Sequence, residues 1–341
     1  MLLKSFLKKS NLNLKDEIWI LSDDRPGTFS QSVGLAEKIG LEYRLIELKY
    51  NFLAKLPNVF FSNSLIRLKH HSKTTITDSS YLPRLIISSG RRSATIGLYI
   101  KKLSNNKTSL IQIMNPDLNF NKFDLVVLPK HDGVDESKFT NLITTIGSLT
   151  KIDEKIIAAE SEKFALWFSD INKTKIALLI GGSSNKTIFD ERSAKKLATM
   201  SSKVANNMNA KLLVLTSRRT EEKVANIILE NLECDFQFFD WQTHQKENPY
   251  LAVLGYSDFF IVSGDSVSMI SECCSTGKPV YIFDNNELSA MKHRKFHRDL
   301  ILEKYAKNFE ERQKKLIDFF PNKLEETKRV ASFIRQNILV E

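Results

Sequence analysis

Small and hydroxylated residues crowd the stretch from Tyr256 to Phe283, YSDFFIVSGDSVSMISECCSTGKPVYIF, and their types suit anion binding. An apolar run, Asp258 to Val262, reads as a strand, and Ser263-Gly264-Asp265-Ser266 as the turn after it. From Val267 the pattern becomes helical, with Val267, Ile270 and Cys274 on one face and Glu272 on another, until Gly277 ends it. Amides at a helix N-terminus point outward and the helix dipole adds positive potential, so phosphate is the expected ligand class. Other turns could carry chemistry too. They are Asp23-Asp24-Arg25-Pro26-Gly27, Ser89-Gly90-Arg91-Arg92-Ser93, Pro129-Lys130-His131-Asp132, Gly181-Gly182-Ser183-Ser184 and Thr216-Ser217-Arg218-Arg219-Thr220. Arg91 and Arg92 suit a carboxylate or phosphate, although a solvated helix start would also place cations there. His293 and His297 have i,i+4 spacing, but Lys292, Arg294, Lys295 and Arg298 around them would repel a metal ion, so no metal site is expected.

Strands must deliver these turns. Glu17 to Ser22, Tyr43 to Leu48, Arg84 to Ser88, Leu110 to Met114, Phe123 to Leu128 and Leu142 to Ile146 read as strands with helical segments among them. The rhythm restarts at Lys175 to Ile180, then Lys211 to Leu215, Phe236 to Asp240, Asp258 to Val262 and Pro279 to Phe283. The class is therefore α/β, with two Rossmann-like βα-repeating halves and ligands at the carboxyl ends of the strands. Expected domains are 1–150, a helical linker over 151–172, 173–320, and a C-terminal helix over 321–341 that could pack back on the first half. The segment Phe52 to His71 reads either as a helix packed on the sheet or as a basic, apolar patch for a membrane surface.

At 341 residues and 42% apolar content the chain suits two globular domains, and no run approaches a bilayer span. The leading MLLKSFLKKS reads as a lead-in to the first strand or a weak membrane-surface anchor. Three cysteines in no metal-type spacing fit a reducing, cytoplasmic compartment. Net charge is +10, and residues 1–150 hold 21 Lys and Arg against 13 Asp and Glu. That bias suits a phosphorylated ligand or the inner face of an anionic membrane. No nucleic-acid module accompanies it, so nucleic acid is not an expected partner.

The ordered motifs LSDDRPG, SSGRR, PKHD, LLIGGSS, TSRRT, NPY and VSGDSVSMISECCSTGKPVYIF, then KHRKFH, resemble the mitochondrial-fission family named for elongated mitochondria. The second half is also similar to the nucleotide-sugar domain of two-domain (GT-B) glycosyltransferases such as the peptidoglycan UDP-N-acetylglucosamine transferase. The resemblance implies a GT-B-like fold, two Rossmann-like domains facing each other across a cleft. It implies a nucleoside-diphosphate sugar, UDP-linked, as donor, with no tightly bound cofactor and no metal. Gly181, Gly182, Ser183 and Ser184 would let backbone approach the donor, and Ser263, Gly264, Asp265, Ser266 and Val267 would offer amides to the diphosphate. Glu272 resembles the acid that accepts ribose hydroxyls, Arg218 or Arg219 would neutralise the leaving diphosphate, and the nucleobase would rest at Phe239-Asp240-Trp241. Each has a plainer reading. Arg219 could serve as a cap or salt bridge, Glu272 as a helix-surface acid, and Asp265 as a helix cap or a partner of sugar hydroxyls.

An inverting transfer needs a base, and the candidates are Asp23, Asp24, His131 and Asp132, with His131 as base and Asp132 orienting it. The expected reaction is metal-independent glycosyl transfer to an envelope lipid or glycan, on a protein peripheral to the membrane. A non-catalytic adaptor of the same fold, or a nucleotide-sugar epimerase, stands as the alternative.

Overall fold

The structure is a computed structural model, and it describes residues 13–23, 26–61, 63–169, 172–184, 187–285 and 288–340. The leading MLLKSFLKKS and Asp24 lie outside the described residues. The chain divides into two compact units, residues 1–151 with 325–341, and residues 152–324.

In the first unit, β1 (Leu14–Ser22), β2 (Tyr43–Glu47), β3 (Leu82–Ser89), β4 (Ser109–Ile113), β5 (Leu125–Pro129) and β6 (Leu142–Thr145) pair in the order β2-β1-β3-β4-β5-β6, every pair parallel. Its helices include α1 (Pro26–Ile39), α2 (His70–Thr77) and α3 (Gly90–Leu103). A parallel sheet covered on both faces calls for unbroken apolar runs rather than alternation. Ile18, Trp19, Ile20 and Leu21 in β1, and Leu85, Ile86 and Ile87 in β3, are all buried.

The second unit begins with α4 (Glu154–Lys163) and α5 (Ala165–Phe168), so the connection expected over 151–172 is part of it. Its sheet contains β7 (Thr174–Leu179), β8 (Ala210–Leu215), β9 (Phe236–Phe239), β10 (Phe259–Ser263), β11 (Val280–Phe283) and the short β12 (Lys307–Asn308). The order is β12-β11-β10-β7-β8-β9, again all parallel. Helices α6 (Glu191–Asn207), α7 (Glu222–Glu230), α8 (Tyr250–Tyr256), α9 (Val267–Cys274) and α10 (Met291–Leu302) connect the strands. The last helix, α11 (Glu326–Asn337), belongs to the first unit. There Val330, Ala331 and Ile334 join Val33, Leu35 and Ile39 of α1 in one buried cluster.

The segment Phe52 to His71 is not the continuous helix expected as one of its two forms. It runs as two 3₁₀ turns, Phe52–Lys55 and Asn58–Phe61, and reaches α2 only at His70. Pro57 lacks the amide a continuous helix would need. Arg67 is wholly buried rather than displayed on a basic surface. It donates to Asn58 Oδ1 and to the carbonyl oxygens of Leu56 and Pro57 (2.8 Å to Pro57), and lies 4.6 Å from the Phe61 ring. Replacing Arg67 with Met leaves these acceptors buried and unpaired, which should cost roughly 2–3 kcal/mol. A urea midpoint equal to wild type would sink this account. Among the described residues no helix is long and apolar enough to cross a membrane.

Candidate functional site

The second sheet reverses its strand order between β7 and β10, the place where loops leave to opposite faces and open a crevice. Three loops meet there through a set of hydrogen bonds around Asp265. Gly181 N donates to Ser263 Oγ at 2.7 Å, and Ser263 Oγ donates to Asp265 Oδ1 at 2.7 Å. The other carboxylate oxygen, Oδ2, accepts from Gly182 N at 2.9 Å and from Arg219 Nη2 at 2.8 Å. Arg219 also donates to Gly182 O at 2.8 Å, and Thr220 Oγ1 to Ile180 O at 3.0 Å. The Asp265 side chain is fully buried.

This arrangement bears on three expectations. Asp265 does not cap α9; Ser266 does, its hydroxyl accepting from Met269 N. The charge of Arg219 is already matched by Asp265, while Arg218 is exposed. The glycine pair makes room for protein rather than ligand. A Cβ on Gly181 would fall 2.1 Å from Asp265 Oδ2, and one on Gly182 would fall 1.9 Å from the Arg219 carbonyl oxygen. Ser183 and Ser184 close their own turn, on Phe189 N and Thr187.

The head of α9 is half-buried at Val267, Ser268 and Met269. Its first amides, from Val267 onward, have no intrahelical acceptor, and the dipole adds to their positive potential. Along the same helix Glu272 is half-buried, and Tyr250 Oη donates to its Oε2 at 2.6 Å. Burial, with the Glu272 charge beside it, pushes the Tyr250 phenol well above its ordinary value and keeps it a donor. The carboxylate is thus fixed in direction. At the end of β9 the Phe239 ring is buried against Trp167, 5.9 Å away and parallel, and against Phe168. Any contact of Phe239 with a base would therefore be through its backbone. Of the three residues expected on one face of α9, Ile270 and Cys274 are buried and Val267 is half-buried.

Two residues that the motifs did not single out, Asp284 and Ser289, lie beside Gly264 and His297. A Cβ on Gly264 would lie 2.9 Å from His297 Cε1, 2.9 Å from Ser289 Oγ and 3.0 Å from Asp284 Oδ1. His297 Nδ1 pairs with Asp284 Oδ2 at 2.9 Å, and its buried Nε2 has no partner among the described residues. Burial pushes His293 below the ordinary imidazole value, and His297 adds to this while Asp265 opposes it. The i,i+4 spacing places both rings on one helical face, which was legible; Asp284, the partner of His297 on another loop, was not.

Burial disfavours the charged form of Asp284, but the His297 ring bonded to it and the Ser289 hydroxyl nearby outweigh it and hold the carboxyl below its ordinary value. A lowered folded value gives stability that is present above the unfolded carboxylate pKa and lost as pH falls through the folded one. Asp284→Asn should therefore lower stability at neutral pH and flatten the decline below about pH 4. Acid titration followed by circular dichroism checks this, and an unchanged acid limb would refute it.

In the first unit, His131 and Asp132 sit half-buried on a 3₁₀ turn, Lys130–Asp132, after β5, closed by Gly133 at φ +77°. Asp23 is already engaged, accepting from Arg92 and from Thr28 Oγ1, each at 2.8 Å, with a side chain only 4% exposed. That removes it as a free base. Among the described residues no group of histidine, cysteine and carboxylate side chains could hold a metal ion.

A family model described as mitochondrial fission ELM1 matches residues 26–338. An uncharacterized protein of Rickettsia prowazekii is 32% identical over 348 residues, covering 93% of this chain and 97% of that protein. The mitochondrial fission protein ELM1 of Arabidopsis thaliana is 28% identical over 220 residues, 59% of this chain and 51% of that protein. Among solved structures, a UDP-GlcNAc 2-epimerase of Methanocaldococcus jannaschii, in complex with UDP-GlcNAc and UDP, is similar with a TM-score of 0.51 at 11% identity, covering 94% of this chain and 100% of that one. Os79 from O. sativa, in complex with UDP, gives 0.50 at 10% identity, covering 94% and 91%. At such identity the likeness is one of fold, and the architecture is α/β and GT-B-like.

Proposed function

The chain belongs to the mitochondrial fission ELM1 family, and from that premise we propose that its second unit binds the nucleoside diphosphate of a UDP-type nucleotide sugar. The observation that carries the reading is the carboxylate of Glu272, held by Tyr250 on the helix whose N-terminus opens the Ser263–Val267 turn. A diphosphate on the amides of that turn puts the ribose further along α9, where an oriented carboxylate accepts its hydroxyls. With Asp284 on Nδ1, the Nε2 atom of His297 is left to meet a phosphate oxygen beside Gly264. UDP in the solved structures of the Methanocaldococcus jannaschii epimerase and of Os79 supports uridine as the base.

The reaction proposed on this site is metal-independent glycosyl transfer. The acceptor hydroxyl oxygen would bond the anomeric carbon as the bond to the diphosphate oxygen breaks, its proton passing to a general base, for which His131, oriented by Asp132, is the first candidate and Asp24 another. An envelope lipid or glycan at the inner membrane face is the acceptor class, on the strength of the basic charge in residues 1–150. Calorimetry with UDP, UDP-sugars, GDP-sugars and the free nucleotides tests the binding. Folded protein that binds none of them would end the proposal. A second reading, a site that holds its nucleotide without turnover, is favoured by the name of the Arabidopsis relative, a mitochondrial fission protein. Binding without product, by NMR of incubated UDP-sugar, would select it; a new epimer without acceptor would select an epimerase.

A further inference from the structure

The first unit has a crevice of its own, which the reading of the second unit leaves unused. A cavity of about 630 Å³ opens at the carboxyl edge of its sheet, between residues that follow β1, β2 and β3. The strand order β2-β1-β3 places it at the topological switch point, where open α/β sheets bind ligands. Its volume is that of a small-molecule site.

The charges in this cavity are unbalanced. Among the described residues, five cations line it against two carboxylates, Asp23 and Glu47. Arg92 is spent on Asp23 at 2.8 Å, and Lys49 faces Glu47 at 3.4 Å. Lys55, Lys69 and Arg91 have no carboxylate partner among the described residues. Arg91 donates to the carbonyls of Leu56 (3.1 Å) and Lys55 (3.3 Å), which holds the guanidinium beside the turn carrying Lys55 without neutralising it. Lys69 N donates to Lys49 O at 2.7 Å, tying its segment to the strip after β2. Three elements thus bring three uncompensated cations to one hollow, at the N-terminal end of α3, whose dipole adds the same sign. Keeping such charges together against their mutual repulsion is an arrangement that an anion of more than one charge repays. A carboxylate would neutralise one of the three; a phosphoryl group, with three oxygens and two charges, matches an arginine fork and two lysines.

We propose that this cavity is a separate binding site for a phosphorylated ligand, its phosphoryl group held by Lys55, Lys69 and Arg91. The volume leaves room beyond the phosphoryl for a group of about sugar size. Phe52 and Leu56, exposed on the turn that carries Lys55, would meet the apolar part if the phosphate belongs to a lipid.

Hydrogen–deuterium exchange read by mass spectrometry tests this on the full chain, with inorganic pyrophosphate, glucose 1-phosphate, and vesicles of phosphatidylglycerol or of phosphatidylcholine. Peptides over 49–56 and 89–95 report this cavity, and peptides over 263–270 report the second unit, so the two sites are read separately. Slowed exchange at 49–56 and 89–95 with the soluble phosphates identifies a soluble ligand, and slowing with phosphatidylglycerol alone identifies a lipid headgroup. In a variant combining Lys55→Gln and Lys69→Gln, both exposed residues, the affinity for the effective probe should fall about tenfold or more. The proposal is overturned if no probe slows exchange there, if phosphatidylcholine acts as well as phosphatidylglycerol, or if the variant binds as wild type.

Discussion

Replacing Glu272 with Ala should weaken UDP binding about 10- to 100-fold while leaving inorganic pyrophosphate affinity within about twofold. Hydrogen bonds to an ionised group contribute roughly 1.5–3 kcal/mol, and each tenfold corresponds to about 1.4 kcal/mol. The split between the two probes is the informative part. Glu272 lies on the body of α9, and the first-turn amides that would take phosphate come before it. Loss of its carboxylate therefore removes ribose contacts without touching the phosphate end. Tyr250→Phe should act in the same direction but by only a few-fold, because Glu272 would remain and lose only the 2.6 Å bond that orients it. Calorimetric titration of both variants with both probes decides the matter. Equal weakening of UDP and pyrophosphate would mean that the helix itself had shifted, and an unchanged UDP affinity would remove Glu272 from the site.

How much of this was legible depends on how local the determining interaction is. Strands such as β1 and β3 announce themselves, because a sheet covered on both faces requires apolar runs like Ile18 to Leu21. The turn types, and hence the carboxyl edges as the place for chemistry, follow from the same rhythm. Segment 52–71 was not legible, since Arg67 is held by carbonyls of its own loop, which leave no periodic trace. The partners of single residues were hidden for a related reason. Asp265 reads as a cap because its real partners stand 46 and 83 positions away, at Arg219 and Gly182. The partner of His297 could not be read from its i,i+4 spacing with His293, because Asp284, 13 residues distant, is on another loop.

Asp265→Ala should be the most destabilising of these changes, lowering the second unit's stability by roughly 3 kcal/mol and its thermal transition by about 10 °C. A carboxylate one residue from a phosphate turn would repel the ligand if it faced outward. Here it faces inward, fully buried, and spends its charge on an amide, a hydroxyl and a guanidinium. Removing it strands Gly182 N and Ser263 Oγ in a dry interior, and leaves Arg219 without its counter-charge. Arg219 is about a third exposed and can turn toward water, which is why the expected cost sits at the low end for a broken buried pair. Arg219→Ala should accordingly cost less, since Asp265 keeps two of its donors, and the double variant should cost less than the sum of the two. Differential scanning calorimetry of the three proteins tests this, and strict additivity would show that the pair is not coupled. The same bonds set the loop geometry around Gly264, so the destabilised variants should also lose affinity for pyrophosphate at temperatures where they remain folded. That loss would separate them from Glu272→Ala, which spares the phosphate end. Asp265 would then be the residue that shapes the turn and Glu272 the one that reads the ligand.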